Sequence, residues 1–214
     1  MQLIAIDGPG GSGKSTVAKA LALRLGMERL DTGAMYRAVA LLAIRADADL
    51  RDGALLGRLA QAMELEVNER VILQGEDIST EIRSEEVDSA VSLVSRHPEV
   101  RSELVKRQRD WARQHGGGIV EGRDIGSVVF PEAKVKVFLT ASTHERAARR
   151  ALQKQAKGVA DPATVRATRE SIERRDEIDS KRDDSPLKVA DGAVVIDSTG
   201  QAVTEVVDKI VSLL

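Results

Sequence analysis

Residues 1–21 read MQLIAIDGPGGSGKSTVAKAL, and this stretch decides the fold. Leu3 to Ile6 form a short apolar run that ends at Asp7, and Val17, Leu21 and Leu25 recur at helical spacing beyond it. Between them Gly8 to Ser15 fits the pattern G-x-x-x-x-G-K-[ST] in its confirming context, a buried strand before it and an amphipathic helix after it. Glycines let successive backbone N–H groups turn inward onto phosphate oxygens, and the helix N-terminus adds its partial positive charge. The run Gly8, Pro9, Gly10, Gly11, Ser12, Gly13, Lys14, Ser15 and Thr16 is therefore the candidate cradle for a nucleoside triphosphate. Lys14 would reach the β- and γ-phosphates, and the Ser15 hydroxyl would ligate Mg²⁺.

Outward from this loop, short apolar runs alternate with helical periods. Ile119 and Val120 within GGIVEG, Lys136 to Leu139, Ala193 to Asp197 and, more weakly, residues 27–31 read as further strands. The alternation predicts an α/β fold: a five-stranded parallel sheet between two helical layers, of the P-loop NTP hydrolase type, with ligands at the carboxyl ends of the strands. From Leu65 to Arg83 apolar and polar residues alternate around Asn68-Glu69-Arg70 and Gln74-Gly75, which predicts a small antiparallel insert. Residues 143–157 and 163–181 read as two Arg-rich helices broken at Gly158 and Pro162, and residues 202–213 as a last helix.

A chain of 214 residues suits one well-buried core. A net charge of -2 supplies no basic field for nucleic acid, and Tyr36, Trp111, Phe130 and Phe138 are too few aromatics for a base-stacking platform. The absence of cysteine removes disulfides and thiolate chemistry. His97, His115 and His144 lack metal-ligand spacing and read as surface residues, while Trp111 reads as core packing. The longest apolar run, Ala38 to Ile44, is far short of the roughly 20 residues a membrane helix needs. A cytoplasmic monomer with small-molecule partners is expected, with no nucleic acid and no membrane. A GTPase would need an Asn-Lys-x-Asp base reader, but Asn68 is followed by Glu69.

LDTGAMYRAVALLAI (residues 30–44), taken with GPGGSGKST, resembles the nucleoside monophosphate kinases. ILQGEDISTEIRSEEV (72–87), EGRDIGSVVFPEAKVKVFL (121–139) and RRDEIDSKRDDSPL (174–187) are similar to one branch, the bacterial cytidylate kinases, and the likeness runs nearly end to end. It implies a core of residues 1–36 and 115–214 with a short lid at about 151–163. It also implies a CMP-binding region, 37–114, that includes a three-stranded insert at about 64–84. The implied reaction passes the γ-phosphate of ATP, with Mg²⁺, to CMP or dCMP; UMP or AMP is the alternative acceptor. By resemblance Arg146 and Arg149 approach ATP, and Arg150 and Arg175 join Lys14 at the transferring group. Thr32, Tyr36 and Arg37 align with a CMP-phosphate pocket, and Ser92 and Arg101 with base contacts. Asp179 and Arg182 align with a sugar site.

Each of these assignments has a plainer counterpart. The Arg-rich helices also read as solvated faces with i,i+4 ion pairs, and DTGAMYR as a helix start capped by Thr32. Cytosine offers an amino donor at N4, for which Asp124 is a candidate acceptor with Arg123 as a donor beside it. Asp124 paired with Arg123 or Arg101 is the structural counterpart.

Overall fold

The computed structural model describes residues 2–154, 162–180 and 185–214. Its elements follow in the order β1 (Gln2–Asp7), α1 (Lys14–Leu25), β2 (Arg29–Asp31), α2 (Thr32–Arg45), α3 (Gly53–Ala62), β3 (Leu65–Val67), β4 (Val71–Leu73) and β5 (Glu76–Asp77). There follow α4 (Glu85–Val94), α5 (Pro98–Gln114), β6 (Gly117–Gly122), β7 (Val135–Thr140), α6 (Thr143–Lys154), α7 (Pro162–Ser180), β8 (Val194–Asp197) and α8 (Val203–Val211). All five strands expected from the apolar runs form, and they make one sheet in the order β2-β6-β1-β7-β8. β1 pairs parallel with β7 (Ile4 opposite Val135, Ile6 opposite Val137) and β7 parallel with β8 (Leu139 opposite Ile196). Parallel strands covered on both faces are apolar throughout, which is why β1 is buried from Leu3 onward.

By its internal packing the chain divides into a unit of residues 29–118 and a unit of residues 2–28 with 119–214. In the second unit Ile4, Ile6, Val17, Leu21, Ile119, Val137, Leu139, Val206 and Ile210 form the core. α1 and α8 pack together. Asp7, Glu121, Thr140 and Asp197 fall at the carboxyl ends of their strands.

In the first unit α2 packs on α3 and α4, and α3 on α5, around buried Val39, Leu41, Leu56, Ile82, Val94 and Leu104. The insert is a three-stranded antiparallel sheet, β3-β4-β5, with Leu65 opposite Leu73 and Leu73 opposite Glu76. The two-residue loop Gln74-Gly75 has positive φ at both positions (51° and 83°), as a hairpin turn matched to strand twist requires.

Three local expectations are corrected. The cap of α2 is Asp31, whose Oδ1 accepts the Ala34 N–H at 3.1 Å, and Thr32 is the first helical residue instead. His97, at the start of α5, is half-buried rather than superficial, its Nε2 lying 2.9 Å from the Leu50 carbonyl. Trp111 is only half-buried, and it stacks on exposed His115 with ring centroids 4.6 Å apart.

Candidate active site

The phosphate loop joins β1 to α1. Gly8 and Gly11 are required there by close approach: a Cβ on Gly8 would lie 2.0 Å from the Leu139 carbonyl oxygen, and one on Gly11 2.8 Å from that of Arg146. The N-cap of α1 is Gly13, at φ 94°, with no side-chain capping bond. The first amides of α1 thus carry no capping side chain, the condition for an anion site at a helix N-terminus.

A loop that turns its N–H groups inward must find partners for carbonyls turned outward. Cationic side chains supply them. Lys14 Nζ donates to Pro9 O at 2.9 Å, Arg123 Nη1 to Gly8 O at 2.5 Å, Arg146 Nη1 to Gly10 O at 3.1 Å and Arg149 Nη1 to Ser12 O at 3.4 Å. Arg146 and Arg149 come from α6, and Arg123 from the turn after β6. These arginines are themselves fixed. Arg146 also donates to the Ala141 carbonyl and pairs with Asp176, and Arg123 Nε pairs with buried Asp179 at 2.9 Å. Arg149 donates to Ser198 Oγ and O at 2.9 and 2.8 Å. The carboxylate paired with Arg123 is thus Asp179.

Several residues at this site were not singled out from sequence. Ser198 Oγ donates to the Ser12 carbonyl at 3.0 Å. Its loop is held by Asp197, whose Oδ1 accepts from the Thr199 hydroxyl and amide at 2.6 and 2.9 Å; these bonds hold the Asp197 carboxyl below its usual range. Buried Glu121 accepts the Ser15 hydroxyl proton at Oε2, 2.8 Å away. With its proton committed there, Ser15 Oγ keeps its lone pairs for accepting, as a hydroxyl ligand to a cation must. Asp7 accepts the Ile125 and Gly126 amides, both at 2.7 Å. Burial pushes its carboxyl up to about 6 against the pull of those amides and of Lys14, and the charge of Asp124 adds to the rise. The available signal was positional: each of these side chains follows an apolar run. Among the described residues no cluster of three or more His, Cys, Asp and Glu side chains could hold a metal.

The expected residues Thr32, Tyr36, Arg37, Ser92 and Arg101 lie in the unit of residues 29–118. Thr32 and Tyr36, one helical turn apart on α2, stand on one face. Thr32 is buried and Tyr36 half-buried. Arg101, buried on α5, donates from Nη1 to the Tyr36 hydroxyl at 3.3 Å, with its guanidinium 5.9 Å from the ring centroid. Arg37, also buried, donates from Nη1 to the Ile82 carbonyl at 2.8 Å and from Nη2 to Asp88 Oδ1 at 2.5 Å. Ser92 is buried on α4. Arg150 is half-buried on α6. The Arg175 side chain, Arg182 and most of the expected lid at 151–163 lie outside the described residues.

Comparison with known proteins gives the following likenesses. A family model described as cytidylate kinase matches residues 4–214. A cytidylate kinase of Mycolicibacterium paratuberculosis is 48% identical over 217 residues, covering 99% of this chain and 94% of the relative. One from a Geobacillus species is 48% identical over 216 residues, covering 99% and 95%. An uncharacterised protein from Eubacterium ventriosum shares the fold, with a TM-score of 0.53 at 12% identity over 99% of this chain and 96% of that one.

Proposed function

The chain belongs to the cytidylate kinase family, and from that premise we propose that it transfers the γ-phosphoryl group of ATP to CMP or dCMP, giving ADP with CDP or dCDP. The observation that carries this reading is the match to cytidylate kinases across 99% of the chain at 48% identity. The reaction needs little proton chemistry, because the attacking CMP phosphate oxygen is already anionic. It needs positive charge and alignment. Two like charges 4 Å apart cost roughly 4 kcal/mol at an effective dielectric of 20, and guanidinium forks offset that without losing their protons.

The loop Gly8–Thr16 binds the ATP phosphates through its amides, with Lys14 on the β- and γ-oxygens. Mg²⁺, when bound, neutralises charge on those phosphates; Ser15 would hold it, oriented by the bond to Glu121. Arg146 and Arg149 line the ATP site while bracing the carbonyls of Gly10 and Ser12. Arg150 and Arg175 stabilise the charge on the transferring group, and residues 151–163 form a lid that excludes water as a competing acceptor. Thr32, Tyr36 and Arg37 take the CMP phosphate; Ser92, Arg101, Arg123 and Asp124 read the base; Asp179 and Arg182 meet the sugar. Asp124 accepts from the cytosine amino group and repels the carbonyl that uracil carries there. The enzyme works as a cytoplasmic monomer in pyrimidine nucleotide metabolism. Among the described residues no helix is long and apolar enough to cross a membrane.

Turnover on CMP, dCMP, UMP and AMP with saturating Mg·ATP tests the assignment. CMP and dCMP are expected to be phosphorylated well ahead of the other two. Equal or faster turnover of AMP would overturn it.

A further inference from the structure

Asp7 ends β1, one residue before the phosphate loop, and is 3% exposed. Its Oδ1 accepts the Ile125 N–H and its Oδ2 the Gly126 N–H, each at 2.7 Å. These amides open the wide helical turn Ile125–Val129, which closes through the Val128 and Val129 N–H groups onto the Asp124 carbonyl at 2.9 and 3.2 Å. Asp124 stands at the N-cap of that turn, with φ −144° and ψ 24°. An aspartate there ordinarily turns its own carboxylate back onto the amides that follow. Asp124 makes no such capping bond. The capping comes instead from a strand 118 residues earlier in the chain.

We propose that Asp7 is a specificity-positioning residue: by capping the turn in place of Asp124 it sets the direction in which the Asp124 carboxylate meets the amino group of the acceptor base. Two charge-assisted bonds from one carboxylate fix two successive peptide planes, and hence the backbone from which the Asp124 side chain projects. The Asp7 backbone is bonded directly to Gly8, so the base-reading turn and the phosphate loop share one anchor. The inference rests on the reading of Asp124 as the cytosine reader.

In Asp7→Asn one oxygen still accepts an amide, but the new NH₂ group faces the second N–H, and the Asp124 carboxylate, at the N-cap of the same turn, is the acceptor that would be drawn to it. The preference for CMP over UMP in kcat/KM is expected to fall about tenfold, through KM for CMP, with KM for ATP within about twofold. Asp124→Asn should lose the same preference, and adding Asp7→Asn to it should cost nothing further. Undiminished CMP preference in Asp7→Asn, or equal damage to CMP and ATP, overturns the proposal alone. Undiminished preference in Asp124→Asn overturns the base-reader reading and this proposal with it. Should Asp7→Asn fail to fold, the wild-type protein still decides. Its Ile125 and Gly126 amide resonances are expected to shift when CMP is added and to stay when ATP is added; resonances indifferent to CMP overturn the proposal.

Discussion

In the unit of residues 2–28 and 119–214, the loop Gly8–Thr16 offers backbone amides whose outward carbonyls are held by Lys14, Arg123, Arg146 and Arg149. In the unit of residues 29–118, the candidate binding groups are side chains of Thr32, Tyr36, Arg37, Ser92 and Arg101, spread over three helices. The first arrangement is set by glycine geometry and a braced main chain. The second depends on two buried arginines, each held by a partner of its own, Asp88 for Arg37 and the Tyr36 hydroxyl for Arg101. On the proposed assignment the backbone site would take any triphosphate, whereas the side-chain site would select the acceptor and could be retuned one residue at a time.

Lys14→Met should break the contrast most severely. On the proposed role it removes the cation from the transferring phosphate, while Arg123, Arg146 and Arg149 still brace the carbonyls of Gly8, Gly10 and Ser12, so kcat is expected to fall about 10³-fold with ATP binding retained. Rapid-quench turnover and equilibrium binding on one preparation check both halves. Arg37→Ala comes next. If Arg37 takes the CMP phosphate as proposed, its loss should raise KM for CMP roughly 10- to 100-fold and leave KM for ATP nearly unchanged. Steady-state kinetics with each substrate varied in turn would contradict the separation if both constants rose together.

Asp7 gives a smaller effect that sharpens the energetics of the loop. Its folded-state pKa of about 6 lies above the ordinary 3.8, so the folded protein holds this proton more tightly than the unfolded chain does. The stability associated with the protonated form is therefore complete below about pH 4. It is lost as pH rises to about 6, by about 3 kcal/mol, and stays lost above that. Subtracting urea stabilities of Asp7→Asn from those of the wild type across this range isolates the effect; a flat difference would show that burial does not strain this carboxylate. Arg45→Ala is the smallest. Arg45 forks onto Glu76 at 2.8 and 3.0 Å and onto Glu81, but all three side chains are substantially exposed. Solvent-screened pairs contribute little, so the denaturation midpoint should hardly move and both KM values should hold.

The local parts of this architecture were legible because their signals are contiguous. Gly8 to Ser15 carries its spacing within one turn of chain, the five strands are unbroken apolar runs, and Gln74-Gly75 marks its hairpin directly. What escaped were carboxylates and hydroxyls whose meaning lies in distant partners. Glu121 matters through Ser15, 106 residues away, and Asp7 through Ile125, 118 residues away. In sequence such residues cannot be told from solvated polar groups at strand ends. Asp88 is another, one acid among several at the start of α4 until it is found on Arg37. The Asp31 cap was misplaced by one residue because Asp and Thr are both good capping residues and stand side by side.

Phosphorus NMR of the protein mixed with Mg·ATP and CMP tests the central claim most directly. The account predicts ADP and CDP appearing together in equal amounts, with no inorganic phosphate. ATP that binds but is not consumed, or ADP formed with free phosphate and no CDP, would contradict it.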